Sequence, residues 1–198
     1  MKILDVQQGS PEWFECRCGI PTSSSFDKIV TTKGVASTQR TKYLYKLAGE
    51  RITRLPEGTF QSQAMLRGIE MEAEARSFYE FTTGQEVQQV GFCLSDDGLY
   101  GASPDGLVGD KGALEIKCPT IPVHVDYLIK GVLPTDYFQQ VQGQLLVTKR
   151  EWVDFLSYYP GLKPLIVRVF PDTGFIDALK YELFKACGEL NEITERIK

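Results

Sequence analysis

The stretch that most constrains the fold is GASPDGLVGDKGALEIKCP, residues 101–119. It contains two short segments rich in β-forming residues, and the sequence between them has the glycine and aspartate content of a tight turn. This pattern predicts a β-hairpin. Because successive side chains of a strand alternate between its two faces, Glu115 and Lys117 are expected on one face and Ile116 on the opposite, apolar face.

The same hairpin would bring two carboxylates together. Asp105 ends or follows the preceding strand, and a hairpin through GLVGDKG would return the chain so that Glu115 lies close to Asp105. Two carboxylates near a backbone carbonyl form a set of oxygen ligands suited to Mg²⁺ or Mn²⁺. Lys117 would then orient or help deprotonate a water, or stabilise phosphate charge. An ordinary solvent-exposed hairpin is the alternative, since Asp-Gly turns and Glu-x-Lys pairs are common.

A third carboxylate could come from the helix predicted over QSQAMLRGIEMEAEARSFYEFTTG. Its apolar spacing predicts a buried stripe of Leu66, Ile69 and Ala73, and Glu72 borders that stripe. Glu72 could therefore face the acidic hairpin. It could equally form a surface ion pair with Arg76, four residues further along the helix.

A second polar candidate lies on the helix predicted over TDYFQQVQGQLLVT. The spacing of this segment places Gln140 and Gln144 on one helix face. An uncharged donor at Gln140 could hold an attacking water. The alternative is a polar helix surface without a specific role.

The remaining segments predict helices at the N-terminus, two more strands after residue 150 and a closing amphipathic helix, with a Pro-rich stretch following the hairpin. We therefore expect an α/β fold with a central mixed sheet flanked by helices and a helical N-terminal region. A chain of 198 residues is expected to form one domain spanning residues 1–198.

Composition excludes several classes of function. No apolar run approaches the roughly 20 residues of a membrane span, and the start MKILDVQQGS does not resemble a secretory signal, so a cytoplasmic protein is expected. The five cysteines suggest neither a disulfide framework nor paired metal knuckles. His124 is the single histidine, which excludes a histidine zinc site, and we expect it in a loop or at the surface.

Charge is unevenly distributed along the chain. The net charge is −4, but residues 1–60 carry a balance of +3 and residues 61–198 a balance of −7. The N-terminal excess of lysine and arginine predicts a local basic surface on an acidic body, compatible with a nucleic-acid partner.

The ordered motifs WFECRCGIPTSSS, GIEMEAEAR, SPDG, LEIKCP and QVQ resemble the phage lambda exonuclease family of viral recombination nucleases, within the PD-(D/E)xK superfamily. Each motif alone is weak, but their order from Trp13 to about Thr148 is specific. A relative that carries an iron–sulfur cluster would need four clustered cysteines, and the cysteines of this chain do not fit that arrangement.

The resemblance implies a role for each matching residue of the hairpin and its flanking helices. Asp105 and Glu115 would be metal ligands together with the Ile116 carbonyl, and Glu72 an outer carboxylate that acts directly or through water. Lys117 would be the catalytic lysine. Gln140 would steer either water or Lys117.

The N-terminal matches imply contacts with the DNA end. Arg17 corresponds to the family arginine that holds the 5′-phosphate, and Ser24 to a serine near the same phosphate. Met65 falls where the family has an apolar residue that helps to split the terminal base pair.

The family pattern also implies an activity and its setting. We therefore expect a Mg²⁺-dependent 5′→3′ exonuclease that digests one strand of double-stranded DNA from its ends. It would hold two Mg²⁺ ions per site, with Mn²⁺ as a possible substitute. It would act as a toroidal homotrimer beside a single-strand annealing protein, in the cytoplasm of an infected or lysogenic bacterium. The alternatives are a structure- or site-specific PD-(D/E)xK endonuclease and a catalytically inactive DNA-end-binding module.

Overall fold

The protein was analysed as a computed structural model that describes residues 1–57 and 63–198, with the backbone only over residues 63–69. Six helices are described: α1 (Pro11–Arg17), α2 (Arg40–Thr53), α3 (Gln63–Thr83), α4 (Ile121–Lys130), α5 (Phe138–Thr148) and α6 (Thr173–Ile197). Short 3₁₀ turns cover Ser23–Lys28 and Thr135–Tyr137. None of the helices in the described part of the chain has both the length and the apolarity that crossing a bilayer requires.

The described residues form eight short strands in two sheets. The strands are β1 (Lys2–Leu4), β2 (Val87–Gln88), β3 (Phe92–Leu94), β4 (Gly101–Ala102), β5 (Gly106–Val108), β6 (Gly112–Lys117), β7 (Trp152–Ser157) and β8 (Leu165–Val169). The larger sheet has the order β2-β5-β6-β7-β8, and the smaller one the order β1-β3-β4. Strands β6 and β7 are parallel, whereas the other pairs are antiparallel, so the predicted mixed sheet flanked by helices is confirmed.

The predicted hairpin is formed by β5 and β6, and the two faces of β6 differ as its alternation requires. Leu114 and Ile116 pack with Ala75 and Tyr79 of α3 in one apolar cluster. Ala113, on the opposite face, packs with Val141 of α5 in a second cluster. The sheet therefore lies between α3 and α5, and the charged residues of β6 lie on the α5 side.

The buried stripe of α3 differs in register from the one predicted. Ala73 is exposed, while Ala75 and Tyr79 are fully buried. Leu66 and Ile69 lie outside the described side chains. The Tyr79 hydroxyl donates a 2.7 Å hydrogen bond to Asp154 on β7, which fixes the face that this helix turns to the sheet.

A third apolar cluster joins α2, α6 and the 3₁₀ turn at Ser23–Lys28. Gly143 of α5 makes the close approach of this turn possible, since an added Cβ would lie 2.5 Å from the Phe26 ring. The packing fixes the position of Ser24 relative to α5.

Helix α1 is capped by Ser10, whose hydroxyl accepts a hydrogen bond from the Trp13 amide, and it ends at Arg17.

The expectation for His124 was wrong. The Pro-rich stretch after the hairpin forms α4, because Pro122 occupies the first turn, where a missing N–H costs nothing. His124 on this helix is fully buried. The Lys163 carbonyl can only accept, so Nε2 donates to it at 3.0 Å and Nδ1 accepts from the Ser157 hydroxyl at 2.7 Å.

Candidate active site

The hairpin brings Asp105 beside β6. Its amide donates to the Leu114 carbonyl at 3.0 Å, and its carboxylate accepts from the Ile116 amide at 2.5 Å. Because β5 begins only at Gly106, the Ile116 amide has no ladder partner on that side, and the Asp105 side chain takes that place. Burial and the neighbouring Glu115 charge raise the pKa of Asp105 well above its usual value.

Glu115 is the centre of the polar cluster and is only 1% exposed. Its Oε1 accepts hydrogen bonds from Lys117 and, at 2.6 Å, from Gln140, and its Oε2 accepts one from Gln144. A buried carboxylate requires such compensation to remain charged. Sequence reasoning singled out Gln140 and placed Gln144 on the same face, but it gave Gln144 no role.

Lys117 lies between this carboxylate and an aromatic ring. Its Nζ is 5.3 Å from the centroid of Tyr137, which packs 5.2 Å from the Phe155 ring. Burial alone would lower the pKa of Lys117, but the charges of Glu115 and Asp105 raise it more, and the net shift is upward. Lys117 is therefore a positioned ammonium group at neutral pH.

Glu72 of α3 belongs to the same electrostatic cluster. It accepts a 2.5 Å hydrogen bond from Arg76, as the helical spacing allowed. Burial raises the pKa of Glu72, with a further contribution from Glu115 that acts against the Arg76 guanidinium. Glu72 is thus close enough to interact with the β6 residues while it remains paired within its own helix.

The donor atoms of this cluster fit a hard divalent cation. In the described part of the chain, no group of three or more His, Cys, Asp or Glu side chains is arranged to hold a metal. Carboxylate oxygens supplemented by water are ligands that hard divalent cations take. Cys118 is not a competing thiolate, because burial raises its pKa to about 11.

A second polar feature is a cavity of about 180 Å³ between α1, α2 and the 3₁₀ turn. Arg17 and Ser24 both line it, so the structure brings these two predicted residues together. Ser24 is exposed, and its hydroxyl lies 3.3 Å from that of Thr22. Met65 lies outside the residues whose side chains the structure describes.

The Arg17 guanidinium is partly buried, and Glu50 lines the same cavity without forming a salt bridge with it. It stacks 3.8 Å from the Trp13 ring centroid and donates a 2.9 Å hydrogen bond to Ser103. No carboxylate among the described side chains forms a salt bridge with it. Burial lowers its pKa to about 10, so the group stays cationic at neutral pH. A partly buried guanidinium without a salt-bridge partner can offer its remaining N–H donors to an anion.

Ser103 connects this cavity to the hairpin, and sequence reasoning missed it. Ser103 lies two residues before Asp105. Its hydroxyl accepts hydrogen bonds from Arg17 at 2.9 Å and from the Trp13 indole at 3.0 Å. The only sequence signal for Ser103 was its place in the SPDG motif, and a role was predicted only for the aspartate of that motif.

The turn after α1 is fixed by Gly19 at φ +70°, where a side chain would collide with Arg51.

The sheet topology and the cluster on β6 define a nuclease of the PD-(D/E)xK class. LHK-Exo, an alkaline exonuclease from Laribacter hongkongensis, superposes with a TM-score of 0.87 at 34% identity, over 95% of this chain and 96% of that one. Its complex with dAMP gives the same score and identity, over 96% of each chain. A phage-related exonuclease from Haemophilus somnus 129PT shares the fold, with a TM-score of 0.69 at 15% identity over 90% of this chain and 96% of its own.

The family model for the YqaJ-like viral recombinase domain matches residues 12–151. The chain belongs to this family, and the predicted resemblance to lambda-type exonucleases is confirmed. The family is one of viral recombinases, and the match to an alkaline exonuclease supports a recombination-related DNA nuclease. None of the curated proteins compared with the chain matches it.

Proposed function

We propose that the protein is a Mg²⁺-dependent exonuclease that digests one strand of linear double-stranded DNA from 5′ to 3′ and leaves a 3′ overhang. The observation that carries the proposal is the Arg17 guanidinium, which lines a cavity with Ser24, forms no salt bridge with a described carboxylate and is joined through Ser103 to the segment of Asp105. A 5′-phosphate held at Arg17 and Ser24 would present the next phosphodiester to the acidic cluster.

The proposal includes release of mononucleotides. If the terminal phosphate is anchored, the first phosphodiester beyond it is the one that meets Asp105 and Glu115. Each cut then frees one 5′-mononucleotide and creates a new 5′-phosphate for Arg17. The relative LHK-Exo is described in complex with dAMP, a compound of this product class, which supports the proposal.

Asp105, Glu115 and the Ile116 carbonyl would hold the metal, and Glu72 would contribute from outside or through water. When bound, two Mg²⁺ ions, or Mn²⁺ in their place, supply charge neutralisation at the scissile phosphate and a more acidic water. The Asp105 carboxylate already accepts from the Ile116 amide, so the two residues are held at a fixed separation. Gln144 keeps the Glu115 carboxylate oriented from its buried side.

We assign Lys117 and Gln140 roles at the attacking water and the scissile phosphate. Both donate to Oε1 of Glu115 and therefore lie on the same side of that carboxylate. Lys117 would orient the attacking water and stabilise negative charge on the phosphate, and Gln140 would steer that water or Lys117. The Tyr137 ring limits where the ammonium group can move.

The biological setting follows the family. The proposal includes a homotrimeric ring around DNA, a single-strand annealing protein as partner, and the cytoplasm of an infected or lysogenic bacterium. Met65 would help to separate the terminal base pair. A trimer would have three times the 22.3 kDa mass of one chain, which light scattering measures directly.

The experiment compares linear duplex DNA with closed circular DNA of the same sequence, each with Mg²⁺, Mn²⁺ or EDTA. The proposal predicts loss of the linear DNA alone, and only with a divalent metal. Cutting of the closed circle would instead identify an endonuclease. Binding of ends without any cutting under all metal conditions would identify an inactive end-binding module.

A further inference from the structure

A groove along α2 has the composition of a single-strand binding surface. It encloses about 980 Å³, and its lining contains three lysines and two tyrosines together with two glutamates and two apolar residues: Lys28, Lys42, Lys46, Tyr43, Tyr45, Glu50, Glu57, Leu55 and Pro56. Of the two tyrosines, Tyr43 is buried and Tyr45 is exposed. An exposed aromatic ring beside basic side chains is a feature with which proteins hold single strands irrespective of sequence. We call this surface the α2 groove.

The lysines of the α2 groove are available to a polyanion. In the described part of the chain, neither Lys28 nor Lys42 forms a salt bridge, and Lys28 Nζ lies 5.4 Å from the Tyr43 ring. Lys46 is 3.5 Å from Glu50. The Glu50 carboxylate repels a phosphate less strongly, because its oxygens already accept hydrogen bonds from the amides of Gly19 and Glu57. This surface contributes to the positive balance of residues 1–60.

The α2 groove is continuous with the Arg17 cavity but not with the acidic cluster. Tyr43, Lys46 and Glu50 line both the groove and the cavity. Asp105, Glu115 and Lys117 line neither of them. A strand that runs from a 5′-phosphate at Arg17 to Asp105 therefore leaves the groove empty.

We propose that the α2 groove binds the single-stranded 3′-ended product as it leaves the DNA end. This inference rests on the proposed function, because only removal of the 5′-ended strand leaves its complement unpaired beside Arg17. The bases would stack on Tyr45, which is 60% exposed, and the phosphates would contact Lys42 and Lys28. Holding the product there keeps the separated strands apart at the cutting site.

The chain offers a matched control on α6. Tyr181 is also 60% exposed, and Lys185 lies 5.2 Å from its ring, so the pair has the same chemistry as a tyrosine and lysine of the α2 groove. Neither residue lines the α2 groove or the Arg17 cavity. Tyr181→Ala and Lys185→Gln therefore report any effect of losing an exposed tyrosine or lysine in general.

The test measures binding of a fluorescent oligothymidylate with a 5′-hydroxyl in EDTA, by anisotropy, over a range of salt concentrations. Tyr45→Ala should weaken binding about tenfold, as expected for one lost base stack. Lys42→Gln should lower the slope of log K against log salt by about 0.7, as expected for one lost phosphate contact. The two α6 variants should bind like the wild type.

The proposal is overturned if Tyr45→Ala binds like the wild type or if the α6 variants lose as much affinity. It is also overturned if both groove variants weaken binding of blunt duplex by the same factor, since the groove would then be a duplex contact. Digestion of linear duplex by the wild type, measured in parallel, separates the two proposals. Intact digestion with unaffected groove variants rejects only the groove, whereas no digestion by the wild type rejects the proposed function and the groove with it.

Discussion

Arg17 donates a 2.9 Å hydrogen bond to Ser103, two residues before Asp105, although Arg17 and Ser103 are 86 residues apart in the chain. The same hydroxyl accepts from the Trp13 indole. One short loop therefore connects the cation that would hold a terminal phosphate to the carboxylate that would hold a metal. The separation between these two sites is set by the fold, and on our account it determines which phosphodiester is cut.

The first prediction concerns Arg17. Arg17→Ala should remove the preference for 5′-phosphorylated over 5′-hydroxyl duplex, because a charged hydrogen bond to phosphate contributes about 2 kcal/mol, or about thirtyfold in rate. The measurement is the ratio of the digestion rates for the two substrates. Arg54→Ala, an exposed arginine at the end of α2, is the control and should keep the wild-type ratio. An unchanged ratio in Arg17→Ala would show that another group recognises the phosphate.

The second prediction concerns Lys117. Lys117→Ala should abolish cleavage while binding to DNA ends persists, because the ammonium group is placed beside Glu115 and not in the Arg17 cavity. Gel-shift assays in EDTA and digestion assays with Mg²⁺ measure the two properties separately. Lys111→Ala, in the exposed turn of the same hairpin, should have wild-type activity. Surviving activity in Lys117→Ala would refute the catalytic assignment.

The third prediction concerns metal binding and stability. Mg²⁺ should raise the thermal midpoint of the wild type, since a ligand that binds only the folded state stabilises it. Asp105→Asn should remove that increase, because one of the two proposed carboxylate ligands is lost. Asp110→Asn, in the turn between β5 and β6, should respond to Mg²⁺ like the wild type. Differential scanning calorimetry measures all three, and an undiminished shift in Asp105→Asn would contradict the proposed ligand set.

The fourth prediction concerns Gln144, which donates to the buried oxygen of Glu115. Gln144→Ala should lower the free energy of unfolding by about 1–3 kcal/mol, because the carboxylate is left without one of its donors in a buried position. Gln140→Ala should cost less stability, since this side chain is only partly buried, while it slows cleavage. Urea titration gives the stabilities. Equal losses of unfolding free energy in both variants would contradict the prediction that the more buried donor, Gln144, contributes more to stability.

Local patterns predicted much of the fold and part of the site. Glu115 and Lys117 could be placed on one face because strand alternation depends only on neighbouring residues. Asp105 could be placed beside them because a tight turn leaves few alternatives. The helix predicted over QSQAMLRGIEMEAEARSFYEFTTG has Gly84 as its last residue, and α3 ends at Thr83 with Gly84 directly after it at a φ of +66°.

Contacts between distant segments could not be predicted in this way. Ser103 was missed because its partners lie in α1, and Gln144 was missed because its role depends on how α5 packs over β6. His124 was expected in a loop or at the surface, whereas it lies on α4, which has Pro122 in its first turn, and is fully buried. Ala73 shows that helical spacing alone did not fix the register of the buried stripe of α3.

The direction of digestion tests the central claim most directly. A linear duplex is labelled on the 5′-terminal phosphate of both strands in one sample and at both 3′ ends in another, and the released label is followed with time in Mg²⁺. The account predicts that the 5′ label leaves first, as a mononucleotide, while the 3′ label stays on long single strands. Early release of the 3′ label, or release of the 5′ label on longer fragments, would contradict it.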